Sequence, residues 1–165
     1  MKIGVIIVFY NNELDISRNL FDGLSNVKNH LHLCLINNGS EDATLDRLEA
    51  LKEISKLNTV VVDIKQNRGV NNAIKAGARY LFNQNKLKYI GYVSVDKLKT
   101  IQDLDTLLNT IEIHKESIIQ LNSITNKNTQ IKRMIFKNVF CILECINTLD
   151  IKLNTTDFIK GNTLI

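Results

Sequence analysis

The chain has no proline and no tryptophan in 165 residues, aromatics make up 6% of it, and there are three cysteines. Without proline, tight turns fall to asparagine and glycine, which tolerate the left-handed backbone that turns demand. So few aromatics leave base-stacking platforms poorly supplied, which argues against a nucleic-acid groove. Cys34, Cys141 and Cys145 are an odd number with no CxxC pair at zinc-finger spacing, so buried thiols in a reducing compartment are expected. No apolar run reaches the ~18 residues of a membrane span. The opening run from Ile3 to Tyr10 is strand-sized rather than a signal peptide. A cytoplasmic protein is therefore expected. No block of one charge is present either: the net charge of +4 comes from scattered lysines, which favours an anionic ligand over a nucleic-acid surface.

What is present is an apolar fraction of 44%, enough for one core, so residues 1–165 are read as a single domain. Ile3 to Phe9 is apolar without alternation, the mark of a strand covered on both faces. Leu14, Ile16, Leu20, Phe21 and Leu24 follow at roughly helical spacing. His30 to Ile36 repeats the strand signal. Ser40 is placed to cap a helix running through Leu45, Leu48, Leu51 and Ile54, with Glu41 and Asp42 set against its dipole. Thr59 to Ile64 reads as a third strand, Val70 to Asn83 as a helix and Tyr89 to Val95 as a fourth strand. This alternation predicts an α/β fold with a mainly parallel sheet flanked by helices. Beyond it, Asp103 to Lys115 predicts a helix, Ser117 to Leu121 a short strand and Asn122 to Gln130 a polar loop. A helix carrying Ile135, Phe136, Val139, Phe140, Leu143 and Ile146 is expected next.

The fourth strand stops at one carboxylate, Asp96. In an open α/β sheet ligands sit beyond the carboxyl ends of the strands, so Asp96 is placed to meet a ligand or its metal, with a turn aspartate bonding its own backbone as the alternative.

Three further segments share one pattern. Val5-Ile6-Ile7-Val8-Phe9-Tyr10-Asn11-Asn12-Glu13 resembles the V-I-I-P-x-Y-N-E-E opening of family 2 glycosyltransferases, and Asn37-Asn38-Gly39-Ser40-Glu41-Asp42-Ala43-Thr44 is similar to their D-D-G-S-x-D-x-T. Asn67-Arg68-Gly69 with Ala73 and Ala76-Gly77 looks like N-x-G-x-x-x-A-x-N-x-G, and Ser94-Val95-Asp96 falls where their metal-binding D-x-D lies. The resemblance implies the GT-A fold, a Rossmann-like domain with residues 1–105 as the nucleotide-sugar-binding half and 106–165 as a shortened acceptor-side half. More faintly, Ile118 to Ser123, Lys132-Arg133, the apolar helix and Asp157-Phe158 look like the dolichol-phosphate-mannose and polyprenyl-phosphate branch.

Under that resemblance Asp96 would hold a divalent Mg or Mn ion on the diphosphate, with Ser94 standing in the first Asp position and Val95 between them. Asn37 matches the acid that accepts a hydrogen bond from the nucleobase and, as an amide, would accept it without charge. Phe9, Tyr10, Asn12 and Glu13 would line the base and ribose pocket; Asn67, Arg68 and Gly69 would form the loop over ribose and diphosphate, Arg68 offering a forked donor to phosphate. Gly77 would allow close helix packing. The base that deprotonates the acceptor has no clear match; Asp150 and Asp157 are the remaining acids near the end. Lys132, Arg133 and Lys137 beside Phe136, Val139 and Phe140 form a basic-apolar segment that fits either a membrane surface or ordinary core packing.

The implied function is transfer of a sugar from a UDP- or GDP-sugar to a saccharide or polyprenyl-phosphate acceptor, with inversion, in surface polysaccharide synthesis. A lipid-linked acceptor would bring the protein to the inner face of the membrane. The two replacements of Asp by polar residues leave open a non-catalytic domain that binds a nucleotide-sugar or a partner.

Overall fold

The computed structural model describes residues 2–24, 30–85, 87–128 and 138–149. Five parallel strands, β1 (Ile3–Phe9), β2 (Leu31–Asn38), β3 (Asn58–Ile64), β4 (Ile90–Ser94) and β5 (Val139–Cys141), form one sheet in the order β3-β2-β1-β4-β5. Every residue of β1 and β2 is buried, as expected of strands covered on both faces.

The period-two alternation of the strands divides the core in two. Ile6 and Val8 of β1, Cys34 and Ile36 of β2 and Ile90 of β4 pack with Ala73, Ile74, Ala78 and Leu81 of α2 (Val70–Asn85). Their odd-numbered neighbours Val5, Ile7, Phe9, Leu33, Leu35 and Val93 face the other way. There they meet Leu48 and Leu51 of α1 (Thr44–Ile54), Leu104 and Leu108 of α3 (Asp103–Asn128) and Ile142 and Ile146 of α4 (Ile142–Thr148). A Cβ on Gly77 would stand 2.7 Å from Ile36 Cδ1, so a larger residue there would have to displace that terminal methyl, and glycine lets α2 lie close against the sheet. Cys34 sits inside this packing, and burial pushes its thiol up to about 12, leaving an inert core residue.

Several local expectations are corrected. Among the described residues between β1 and β2 there is no α-helix: Asn11 and Phe21 adopt positive φ (52° and 80°), and a 3-10 turn forms at Asp22–Leu24. Ile16, Leu20, Phe21 and Leu24 are nevertheless buried, so the spacing reported burial rather than helix, while Leu14 is 96% exposed. Ser40 does not cap α1, which begins at Thr44; its Oγ accepts the Asn11 N–H instead. Ser117 to Leu121 is not a strand, and Asn122 to Asn128 is not a loop, because α3 continues through both with Leu107, Leu108, Ile111 and Ile118 on one buried stripe. Val139 and Phe140 lie in a strand rather than a helix, and Phe140 is buried, so ordinary core packing accounts for them. Lys132, Arg133, Ile135, Phe136 and Lys137 fall outside the described residues.

Candidate functional site

β1 is hydrogen-bonded to β2 on one side and β4 on the other, and the chain winds outward from it in both directions. The carboxyl ends of β1 and β4 therefore part at a topological switch point, where α/β sheets open a crevice. A cleft of about 310 Å³ occupies that place, lined by Val8, Tyr10, Asn12, Asn38, Asn67, Gly69, Val70, Ser94 and Asp96.

Two loops shape its rim through reciprocal bonds. At the end of β1, the Asn12 N–H donates to Thr44 Oγ1 at 2.7 Å and the Glu13 N–H to Asp42 Oδ2 at 3.1 Å. In return Glu13 Oε2 accepts the Ala43 N–H at 3.2 Å, and Asn11 Oδ1 accepts the Glu41 N–H at 3.0 Å. Asn12 also folds its Oδ1 back onto the Tyr10 N–H at 2.8 Å, leaving the Tyr10 ring 45% exposed at the cleft.

The end of β2 is equally constrained. Gly39 has φ +70°, and a Cβ there would lie 2.3 Å from the Asn67 backbone nitrogen, so only glycine lets the β2 and β3 loops touch. Both ends of the Asn37 amide are engaged: its Nδ2 donates to Asp63 Oδ1 at 2.8 Å and its Oδ1 accepts the Ser40 N–H at 3.2 Å. The Lys65 ammonium bonded to Asp63 holds that carboxyl below the usual carboxylate range, with partial burial opposing and the Asn37 amide assisting. Asn38 is 2% exposed, donates from Nδ2 to Asn67 Oδ1 at 3.3 Å, and has a buried Oδ1 without a partner.

The end of β4 is looser. Ser94 is 9% exposed, whereas the Asp96 side chain is 60% exposed in a 3-10 turn and stands 3.7 Å from the Lys97 ammonium. Ser94 at the end of β4 and Asp96 in the turn after it both line the cleft. No group of three or more His, Cys, Asp or Glu that could hold a metal occurs among the described residues. One exposed carboxylate fits a hard cation that arrives with phosphate and keeps water, not one caged by protein alone.

Of the residues expected at the site, Tyr10, Asn12, Asn67, Ser94 and Asp96 come together. Phe9 and Val95 do not: both are buried in the core on the other side of the sheet. Asn37 does not line the cleft, because its amide is spent on Asp63 and Ser40. Glu13 ties the two loops, and exposed Arg68 is not a lining residue. Asp150 and Asp157 lie outside the described residues. Val8, Asn38 and Val70 also line the cleft; Val8 and Asn38 stand inside the quoted motifs without an assigned role, and Val70 is not among the quoted motif residues.

The family model described as Glycosyl transferase family 2 matches residues 4–163. An uncharacterized protein of Methanocaldococcus jannaschii is 30% identical over 78 residues, 47% of this chain and 34% of its own length. Among solved structures, a mannosyltransferase from Pyrobaculum calidifontis in complex with GDP-Man and Mn2+ aligns with TM-score 0.48 at 16% identity, over 67% of this chain and 32% of its own. TarS of S. aureus in complex with UDP aligns with TM-score 0.42 at 21% identity, over 70% of this chain and 33% of its own. The chain thus spans about a third of the Methanocaldococcus jannaschii protein, of the mannosyltransferase and of the TarS 1-349 fragment, and 20% of the TarS chain in a second structure.

Proposed function

Since this chain belongs to glycosyl transferase family 2 and has its GT-A fold, we propose that it binds a nucleotide-diphosphate sugar in the cleft at the ends of β1, β2 and β4 and transfers the sugar, with inversion, to a saccharide or polyprenyl-phosphate acceptor. The observation that carries this reading is a single cleft lined by a buried amide with an unsatisfied acceptor, Asn38, and an exposed carboxylate, Asp96. An uncharged acceptor suits a nucleobase edge, and a carboxylate suits a cation bridging a diphosphate.

The roles follow from placement. The base sits by Asn38 and Asn67, with Tyr10 and Asn12 along base and ribose. The diphosphate passes Gly69 and the amino end of α2, whose first backbone N–H groups and dipole favour anions. Arg68 adds a mobile cation there. Asp96, helped by Ser94, would hold Mg or Mn, which supplies Lewis-acid neutralisation of the leaving diphosphate. Asp150 or Asp157 is proposed as the base that takes the acceptor proton. A cytoplasmic setting, at the inner membrane face for a lipid-linked acceptor in polysaccharide synthesis, belongs to the same proposal. No helix among the described residues is long and apolar enough to cross a membrane.

The replacement of a D-x-D carboxylate by Ser94 favours a second reading, a domain that binds the nucleotide-sugar without turning it over. Calorimetry with UDP, GDP and their sugars tests both. On the first reading Mn²⁺ strengthens binding by roughly tenfold, about 1.4 kcal/mol, and Asp96→Ala removes that gain. Binding indifferent to Mn²⁺ would leave only the second. Absence of any nucleotide binding at millimolar concentration would overturn both.

A further inference from the structure

Asn38 presents a buried acceptor that nothing in the protein satisfies, at a residue lining the cleft. A buried, unpaired acceptor is costly, and most such groups in folded proteins find a partner. The orientation of this amide is set by its neighbour rather than by chance. The Gly69 backbone N–H can only donate, so the atom of Asn67 facing it at 2.9 Å must be the oxygen. The same Asn67 Oδ1 receives Asn38 Nδ2 at 3.3 Å. Turning the Asn38 amide over would set two carbonyl oxygens against each other. The chain Gly69 N–H, Asn67 Oδ1, Asn38 Nδ2 therefore leaves the oxygen of Asn38, and not its NH₂, as the end without a partner in the protein.

We infer that Asn67 is a positioning residue which locks the Asn38 carboxamide as an acceptor, so that the cleft selects nucleobases presenting a ring N–H beside a carbonyl, as uracil and guanine do, and rejects cytosine, whose N3 is itself an acceptor. The inference rests on the nucleotide-binding reading above. Its physical core is that a carboxylate in this place would accept on either oxygen without help, whereas an amide reads the base correctly only if something fixes which end points where. A polar site left with a mismatched partner discriminates far more strongly than one that merely loses van der Waals contact.

The test is the ratio of UDP to CDP affinity, with GDP as a third probe, measured by calorimetry on the full chain. The wild type is expected to prefer UDP over CDP by roughly 30-fold. Asn67 is exposed, so its truncation leaves the core intact. Asn67→Ala is expected to shrink the ratio below about fivefold by freeing the amide to turn. Asn67→Asp, which still accepts from Gly69 and Asn38, keeps it. Asn38→Asp in the Asn67→Ala background restores the UDP preference, a rescue that a merely structural role for Asn67 does not predict. Equal UDP and CDP binding by the wild type, or an unchanged ratio in Asn67→Ala, overturns the lock while leaving nucleotide binding in place. No binding of any of the three nucleotides overturns both the lock and the functional reading beneath it. A GDP affinity above that of UDP assigns the guanine arm.

Discussion

At the end of β2, Asn37 and Asn38 are 4% and 2% exposed and are tied to Asp63, Ser40 and Asn67 before any ligand arrives. At the end of β4, one strand beyond β1, Asp96 is 60% exposed and its ion pair with Lys97 spans 3.7 Å. Both strand ends line one cleft, and both carry neutral residues where the family pattern has acids. The base side is preorganised, so binding there costs little ordering; the phosphate side takes its geometry from what binds. On the proposed reading, a site divided in this way would recognise the nucleotide first and leave the strength of cation capture to the incoming diphosphate.

The most severe way to break the contrast is Gly39→Val. A side chain there meets the Asn67 backbone and must hold a left-handed φ, so the β2 and β3 loops separate. A loss of roughly 2–4 kcal/mol in urea unfolding is expected, with nucleotide binding reduced in parallel; an unchanged midpoint would show that the base side is not rigid. Ser94→Asp sharpens the comparison from the other end. A second carboxylate beside Asp96 is expected to raise the Mn²⁺-dependent gain in UDP binding about fivefold, close to 1 kcal/mol. No gain would mean that β4 does not address the cation. The smallest effect concerns Asp63. Its folded carboxyl titrates below the ordinary value, so its contribution is complete above the unfolded pKa near 3.8 and disappears as pH falls through the lower folded value. Asp63→Asn should therefore cost about 0.5 kcal/mol at pH 6 and progressively less as pH falls below the unfolded value, read as the difference between two denaturation series.

The sheet was legible because continuous apolar runs such as Ile3 to Phe9 have few other uses, and four of its strands appear where that signal put them. The fifth was not, since three residues, Val139 to Cys141, are too few to break a helical apolar spacing. Of the residues expected to share one site, the cleft gathers Tyr10, Asn12, Asn67, Ser94 and Asp96, while Phe9 and Val95 turn away into the core. Phe9 is odd-numbered and packs in the core on the side of α1 and α3, whereas Val8 of β1, Asn38 of β2 and Ser94 of β4 are even-numbered and line the cleft. Because side chains alternate across a strand, a shift of one position moves a residue to the opposite face. That parity was available in the sequence once Ala73 and Gly77 had placed α2. The Asn67 bond to Asn38 was not, because no spacing rule reports which loop tips meet.

The central place of β1 also sets the order in which the cleft can come into being. Its partner on one side, β2, begins at Leu31, but its partner on the other side is paired through Gly4 and Ile90, a sequence separation of 90 − 4 = 86 residues. Contacts so distant along the chain are slow to close. On a ribosome, the residues carrying Asn38 and Asn67 are joined to the chain before Asp96, and until β4 docks, one edge of β1 lies open to any extended strand that reaches it.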